Sequence, residues 1–177
     1  MKVIFLDIDG VLNTNYSTSC FKETDGLIYL GIDNDKVEQL KRIVDATGAK
    51  IVLSSDWRHE YQIGTSDQTN NNGSKYLYNK MREHGLEIHD KTVDIQWALR
   101  DEEIKKYLEE HEVEDYVILD DRPFFIARDE MLCKHFILTN AKESEGGLIP
   151  KLADFAIEIL NRNLVGPVFH FEDRVYE

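Results

Sequence analysis

At 177 residues, 42% hydrophobic and 31% charged, the chain fits one domain with a full core. A net charge of −13 argues against an extended nucleic-acid groove, which would need Lys and Arg, but not against a local basic pocket. No apolar run could span a bilayer, the N-terminus does not read as a signal peptide, and Cys20 and Cys133 lack zinc spacing and read as free thiols, so a cytoplasmic protein is expected.

Val3 to Leu6 reads as a short buried strand that delivers Asp7 and Asp9 to its end, where Gly10 permits a sharp departure. Such a carboxylate pair suits a hard cation, or a division of labour between nucleophile and acid/base; a turn acid pair that only solvates a loop is the alternative. Residues 14–32 read as a flap or hairpin around Gly26 and Gly31. Asp33 or Asn34 then caps a helix carrying Val37, Leu40, Ile43 and Val44, with Gly48 as its stop. The next apolar strand, Lys50 to Leu53, ends in Ser54, Ser55, Asp56, Trp57 and Arg58. Residues 59–90 read as a modest insertion, with a solvated loop at 64–74, a helix through Tyr76, Leu77 and Met81, and a brief apolar piece at Leu86 and Ile88. Arg100 stands before an acidic amphipathic helix, Asp101 to His111, with Ile104, Tyr107 and Leu108 on one face. A third strand, Tyr116 to Leu119, ends in Asp120, Asp121 and Arg122. His135 to Thr139 is expected as a further strand and Leu152 to Leu160 as the last long helix, while Val168 to Glu177 reads as a strand or an arm. Trp57 and Trp97 are expected to pack rather than to serve as stacking platforms.

This alternation predicts an α/β fold: a doubly wound parallel sheet in a single domain over 1–177, with only a small flap or cap. Three strands would then bring polar, chemically capable ends to one rim, where open α/β sheets hold their ligands. Polar strand ends gain nothing in a core unless they meet over something.

Asp7-Ile8-Asp9-Gly10-Val11-Leu12-Asn13, Leu53-Ser54-Ser55-Asp56-Trp57-Arg58 and Ile118-Leu119-Asp120-Asp121-Arg122 together resemble the motifs of the haloacid dehalogenase-like (HAD) phosphatase superfamily, in order and in type. The Leu-Ser-Ser-x-Trp-Arg form is similar to the phosphatase-like domains of RNA-repair proteins. The Asp-Asp-Arg form resembles the 3′-phosphatase domain of polynucleotide kinases. The resemblance implies a Rossmann-type core and an aspartyl-phosphate intermediate. Asp7 matches the nucleophile and Asp9 the acid that protonates the leaving oxygen and then activates water. It implies Mg2+ held by the Asp7 carboxylate, the Asp9 backbone carbonyl and Asp121, with Asp120 supporting. Either Ser54 or Ser55 matches the phosphate-binding hydroxyl. Arg100 is the favoured third-motif cation, with Lys105 and Lys106 as alternatives whose other reading is helix ion pairing. Arg58 would clamp phosphate, or else make an ion pair or stack on Trp57.

These expectations amount to a magnesium-dependent phosphomonoesterase. A small cap would leave the site open, which fits a large substrate, whereas the acidic charge favours a small one. A nucleotide or a polynucleotide end phosphate is ranked first. A small-metabolite or protein phosphatase, and an inactive binding module on the same fold, are the alternatives. Dehalogenation is disfavoured because dehalogenases of this group generally lack the second Asp. No membrane partner is expected, and oligomerisation is left open.

Overall fold

Four of the five strands of one sheet are near-continuous hydrophobic runs buried on both faces, and the fifth, at an edge, is polar and only partly buried. A computed structural model describes residues 1–68, 71–123 and 126–162. The segment from Val168 to Glu177, expected as a strand or an arm, lies outside the described residues. In chain order the elements are β1 (Lys2–Leu6), β2 (Cys20–Lys22), β3 (Ile28–Leu30), α1 (Asn34–Thr47), β4 (Lys50–Leu53), α2 (Asn72–Glu83), β5 (Ile88–Lys91), α3 (Arg100–Glu110), β6 (Asp115–Asp120), β7 (Phe136–Leu138) and α4 (Pro150–Leu160). The sheet order is β5-β4-β1-β6-β7, and every pairing is parallel. Strand order reverses direction across β1, so the crevice between the carboxyl ends of β1 and β6 is the topological switch point.

Side-chain alternation along β1 divides the core in two. Ile4 and Leu6 pack with Leu40 and Ile43 of α1, Leu77 and Met81 of α2, and Ala153 and Ala156 of α4. Val3 and Phe5 pack with Ile104 and Tyr107 of α3 and with Ile126 and Leu132. Helices therefore cover both faces, as expected. α1 stops at Gly48, whose φ of 68° permits its N–H to reach the Val44 carbonyl at 2.8 Å. Its N-cap, Asp33, makes no side-chain cap; instead its carboxylate accepts from the Ser17 hydroxyl at 2.5 Å.

The flap over 14–32 is a hairpin, with β2 and β3 antiparallel. It is fastened to α2: Glu23 accepts from the backbone N–H groups of Asn72 and Gly73, and the Tyr76 hydroxyl accepts from the Ile32 N–H. Residues 59–90 are not the insertion the sequence suggested. Leu77 and Met81 belong to the main core, and β5 is an edge strand of the central sheet. The polar run also ends earlier than expected. Asn71 caps α2 by accepting from the Ser74 N–H at 2.6 Å, so Asn72, Gly73 and Ser74 are helical. Gln68 is buried, bonded to Gln62 and Thr65 backbone groups. Trp97 does not pack: it is 92% exposed with φ at 68°. Both cysteines are free. Among the described residues no helix is long and apolar enough to cross a membrane.

Candidate active site

The ladder of β1 runs one step past the strand on both sides. The Asp7 N–H donates to the Leu119 carbonyl at 3.0 Å, and the Ser54 N–H donates to the Leu6 carbonyl at 2.8 Å. Asp7 thus stands between the ends of β4 and β6, buried. The chain then turns, with Val11 and Leu12 donating to the Ile8 carbonyl. Gly10 is needed there twice over. Its φ is +81°, and a Cβ would lie 2.4–2.5 Å from the Asp121 side chain. The turn is anchored from the far side of the sheet, where the Thr139 hydroxyl donates to the Gly10 carbonyl at 2.7 Å.

Arg100 enters from the first residue of α3. Its Nη1 lies 3.1 Å from Asp7 Oδ1 and 3.0 Å from Asp120 Oδ2, and it also donates to the Ser54 carbonyl. The Ser55 hydroxyl hydrogen-bonds the Asp7 carboxylate. The Ser54 hydroxyl is buried and has no hydrogen-bond partner among the described residues. Of the two serines, Ser55 is the one whose hydroxyl meets Asp7.

Asp9 points another way. One carboxylate oxygen accepts from Asn13 Nδ2 and the other from Trp57 Nε1, both at 2.9 Å. Asn13 is itself fixed, taking the Gly10 N–H on its Oδ1 and giving a second bond to the Gly31 carbonyl. Asn13 and Trp57 lie within the sequence motifs, but nothing in the motifs assigns them this task. The 48-residue gap between Trp57 and Asp9 hides it, and the sole signal was an aromatic N–H beside a polar strand end.

Asp7, Asp120 and Asp121 each offer an oxygen within 4.8 Å of the others, a group able to hold a metal ion. The donors are all hard oxygens. Their proximity is unfavourable without a cation. Burial, with the Asp7 charge second, pushes the Asp120 carboxyl up to about 8. Burial raises Asp7 too, against the pull of Arg100, and burial and Asp7 together raise Asp121. Burial would lower the Arg100 guanidinium, but Asp120 and Asp7 outweigh it and hold it above its ordinary value. One guanidinium among three carboxylates leaves net negative charge, so the residues fit a divalent cation. The Asp9 carboxylate is outside this group, whereas Asp120, expected only as support, is within it. Both Asp120 oxygens are already engaged, by Arg100 and by the Arg122 N–H.

Two expected phosphate contacts part company here. Arg58 is buried and directed away, bonded to Glu103 Oε1 at 2.7 Å. Its placement as a phosphate clamp is therefore corrected to a buried ion pair. The reason is that α3 brings a carboxylate to it inside the fold, where an unpaired guanidinium would be costly. Lys105 pairs with Asp129 and Asp101, and Lys106 with Glu110. Arg100 alone of the three candidate third-motif cations has a recorded contact with Asp7.

A family described as the HAD domain in Swiss Army Knife RNA repair proteins matches residues 3–147. The chain belongs to this HAD family. A similar solved chain, described as a HAD superfamily (subfamily III A) hydrolase from Legionella pneumophila, shares 16% identity over 91% of this chain and 84% of its own, with a TM-score of 0.45. No curated protein matches. The match to the HAD domain takes in every motif described above, from β1 through Asp121. The acidic group lies within the matched span, at the switch point of the sheet.

Proposed function

We propose that this HAD domain is a magnesium-dependent phosphomonoesterase that works through an aspartyl phosphate, on the end phosphate of a nucleotide or polynucleotide. The observation that carries the reading is the surroundings of Asp7: a guanidinium at 3.1 Å, a serine hydroxyl in hydrogen bond, and two further carboxylates beside it. A structural carboxylate needs one such partner. A carboxylate that must approach a phosphate dianion needs cations and donors on every side.

In the first step an Asp7 oxygen attacks phosphorus, the bond from phosphorus to the ester oxygen breaks, and Asp9 gives that oxygen its proton. In the second, Asp9 takes a proton from water, the water oxygen attacks phosphorus, and the bond to Asp7 breaks. Inorganic phosphate leaves, and both carboxylates return to their starting states. Asn13 and Trp57 hold Asp9 so that its proton-carrying edge has one orientation. Arg100 and Ser55 steady the phosphoryl oxygens and Asp7. The Asp7 and Asp121 carboxylates and the Asp9 carbonyl would hold magnesium; Asp121 suits this better than Asp120, since its nearest recorded cation, Arg122 Nε, stays 3.7 Å away. Magnesium, when bound, would offset the repulsion between nucleophile and substrate and spread charge in the transition state.

The nucleotide preference draws on the family, whose description names RNA repair proteins. Hydrolysis of an aryl phosphate, with magnesium and with a chelator, tests the reaction. Turnover that requires the metal is expected. Undiminished turnover in the chelator, or none under either condition, rejects the reading.

A further inference from the structure

Beside Asp9 lies a cleft of about 620 Å³, a size that suits a ligand as large as a nucleoside. One wall is apolar and aromatic. Trp57, already bonded to Asp9, stands 5.3 Å from the Phe21 ring, and Phe21 stands 5.8 Å from Tyr29, ring centre to ring centre. The aromatic surface thus begins at Asp9 and runs outward along the hairpin. Its outer members are open: Ile28, Tyr29 and Leu30 of β3 are 72%, 45% and 42% exposed. Apolar strand residues left exposed beside an acidic site ask for a ligand rather than for solvent.

The charge on the cleft is of one sign. Asp9, Glu23, Asp56 and Glu60 line it, and no Lys or Arg is among its described lining residues. The scissile phosphate has Arg100 on the Asp7 side, but a second phosphate carried by the leaving group would enter a field of carboxylates.

We infer that the cleft receives the leaving group of the substrate, and that this group is aromatic and carries no further phosphate. A nucleoside monophosphate or a simple aryl phosphate fits; a polynucleotide end, whose next phosphodiester would follow the leaving group into the cleft, does not. The inference rests on the phosphomonoesterase reading and narrows it. Tyr29 and Ile28 set the preference for a ring, and Glu60 sets the exclusion of a second charge, since Asp56 is already paired to Arg100 Nη2 at 3.9 Å.

The test compares kcat/KM, in magnesium, for adenosine 5′-monophosphate, ribose 5-phosphate, phenyl phosphate, adenosine 3′,5′-bisphosphate and a 5′-phosphorylated dinucleotide. The nucleotide is expected to exceed ribose 5-phosphate by about tenfold, the worth of one good aromatic contact. It is expected to exceed the bisphosphate and the dinucleotide by about fivefold, the worth of one screened charge repulsion. Tyr29→Ala should shrink the first ratio toward unity, and Glu60→Lys the second. Phenyl phosphate ahead of the nucleotide seats the ring against Trp57, and the reverse order seats a sugar between them; both support an aromatic leaving group. Ribose 5-phosphate equal to the nucleotide, or a dinucleotide superior to it, overturns the inference. If no phosphate ester is turned over, calorimetric titration of the protein with adenosine and with ribose still decides the cleft. Adenosine binding that Tyr29→Ala weakens upholds it, and equal or absent binding of the two sinks it.

Discussion

Asp7 and Asp9 are two residues apart and live in different chemistry. Asp7 is buried among charges, whereas Asp9 is held by two neutral donors, Asn13 and Trp57. Replacing Asp7 by Asn keeps the shape and removes the proposed nucleophile, so turnover should vanish while the thermal transition persists. A clean Asp7→Asn preparation with full activity would remove the nucleophile assignment. Asp9→Asn should cost about 10²–10⁴-fold in kcat on a poor leaving group and much less on an activated aryl phosphate. Equal losses on the two substrates would argue against the acid. Gly10 ties these residues to Asp121. Gly10→Ala must adopt a positive φ, at a cost of about 1–3 kcal/mol, and must also push the Asp121 side chain aside. The expected result is a lower denaturation midpoint together with weaker magnesium affinity, measured by titration. A stable variant with unchanged metal affinity would show that the turn relaxes without moving Asp121.

α3 supplies two carboxylate or guanidinium anchors on one side of the sheet, Arg100 at its start and Glu103 one turn on. They answer different needs. Arg100 faces Asp7, while Glu103 neutralises buried Arg58. Arg58→Ala should destabilise by about 3–5 kcal/mol, because it strands a buried carboxylate that burial already pushes toward its protonated form. Arg58→Met with Glu103→Leu should recover most of that loss in denaturant unfolding. Arg100→Ala should instead raise KM and lower kcat together, by about 10²-fold in kcat/KM, while Lys105→Ala stays near the parent. Reversal of that pair would overturn the placement of the cation. What could be read in advance follows from how local each signal was. Asp7, Ser54 and Asp120 sit directly after apolar strands, so neighbouring residues announce them. Arg58 carried the same local signature, and its partner, 45 residues away, was invisible. The helix α2 was legible, but its start was obscured because its cap, Asn71, lies in a run of Asn and Thr that reads as loop, and nothing local showed that Leu77 and Met81 face the main core. Trp97 looked like core by residue type, and its positive φ is a property of the fold around it.

At the scale of the molecule, the acidic group makes stability depend on pH and on metal. Burial raises Asp7, Asp120 and Asp121, and the Asp7 charge adds to the rise of the other two. A folded-state carboxyl raised from 3.8 to about 8 holds a proton that the unfolded chain has released. Its contribution is complete below the ordinary value and is lost as pH climbs through about 8. Metal-free protein should therefore melt at progressively lower temperature as pH rises across that window. Asp120→Asn should flatten the slope, which assigns it to this carboxyl. Magnesium should raise the melting temperature most at the alkaline end, where it competes with the fewest protons. A parent and an Asp120→Asn variant with parallel profiles would contradict this. The register of β1 has a consequence for how the protein is measured. Ile4 and Leu6 face one core and Val3 and Phe5 the other, and Asp7 is the next pleat of the same strand. A slip of one residue would exchange the two faces and carry Asp7 out of the crevice in the same movement. A chain so misthreaded loses both cores at once and does not survive as a well-formed but silent molecule. Specific activity then counts correctly threaded chains, and a preparation of low activity is one to refold before it is one to mutate.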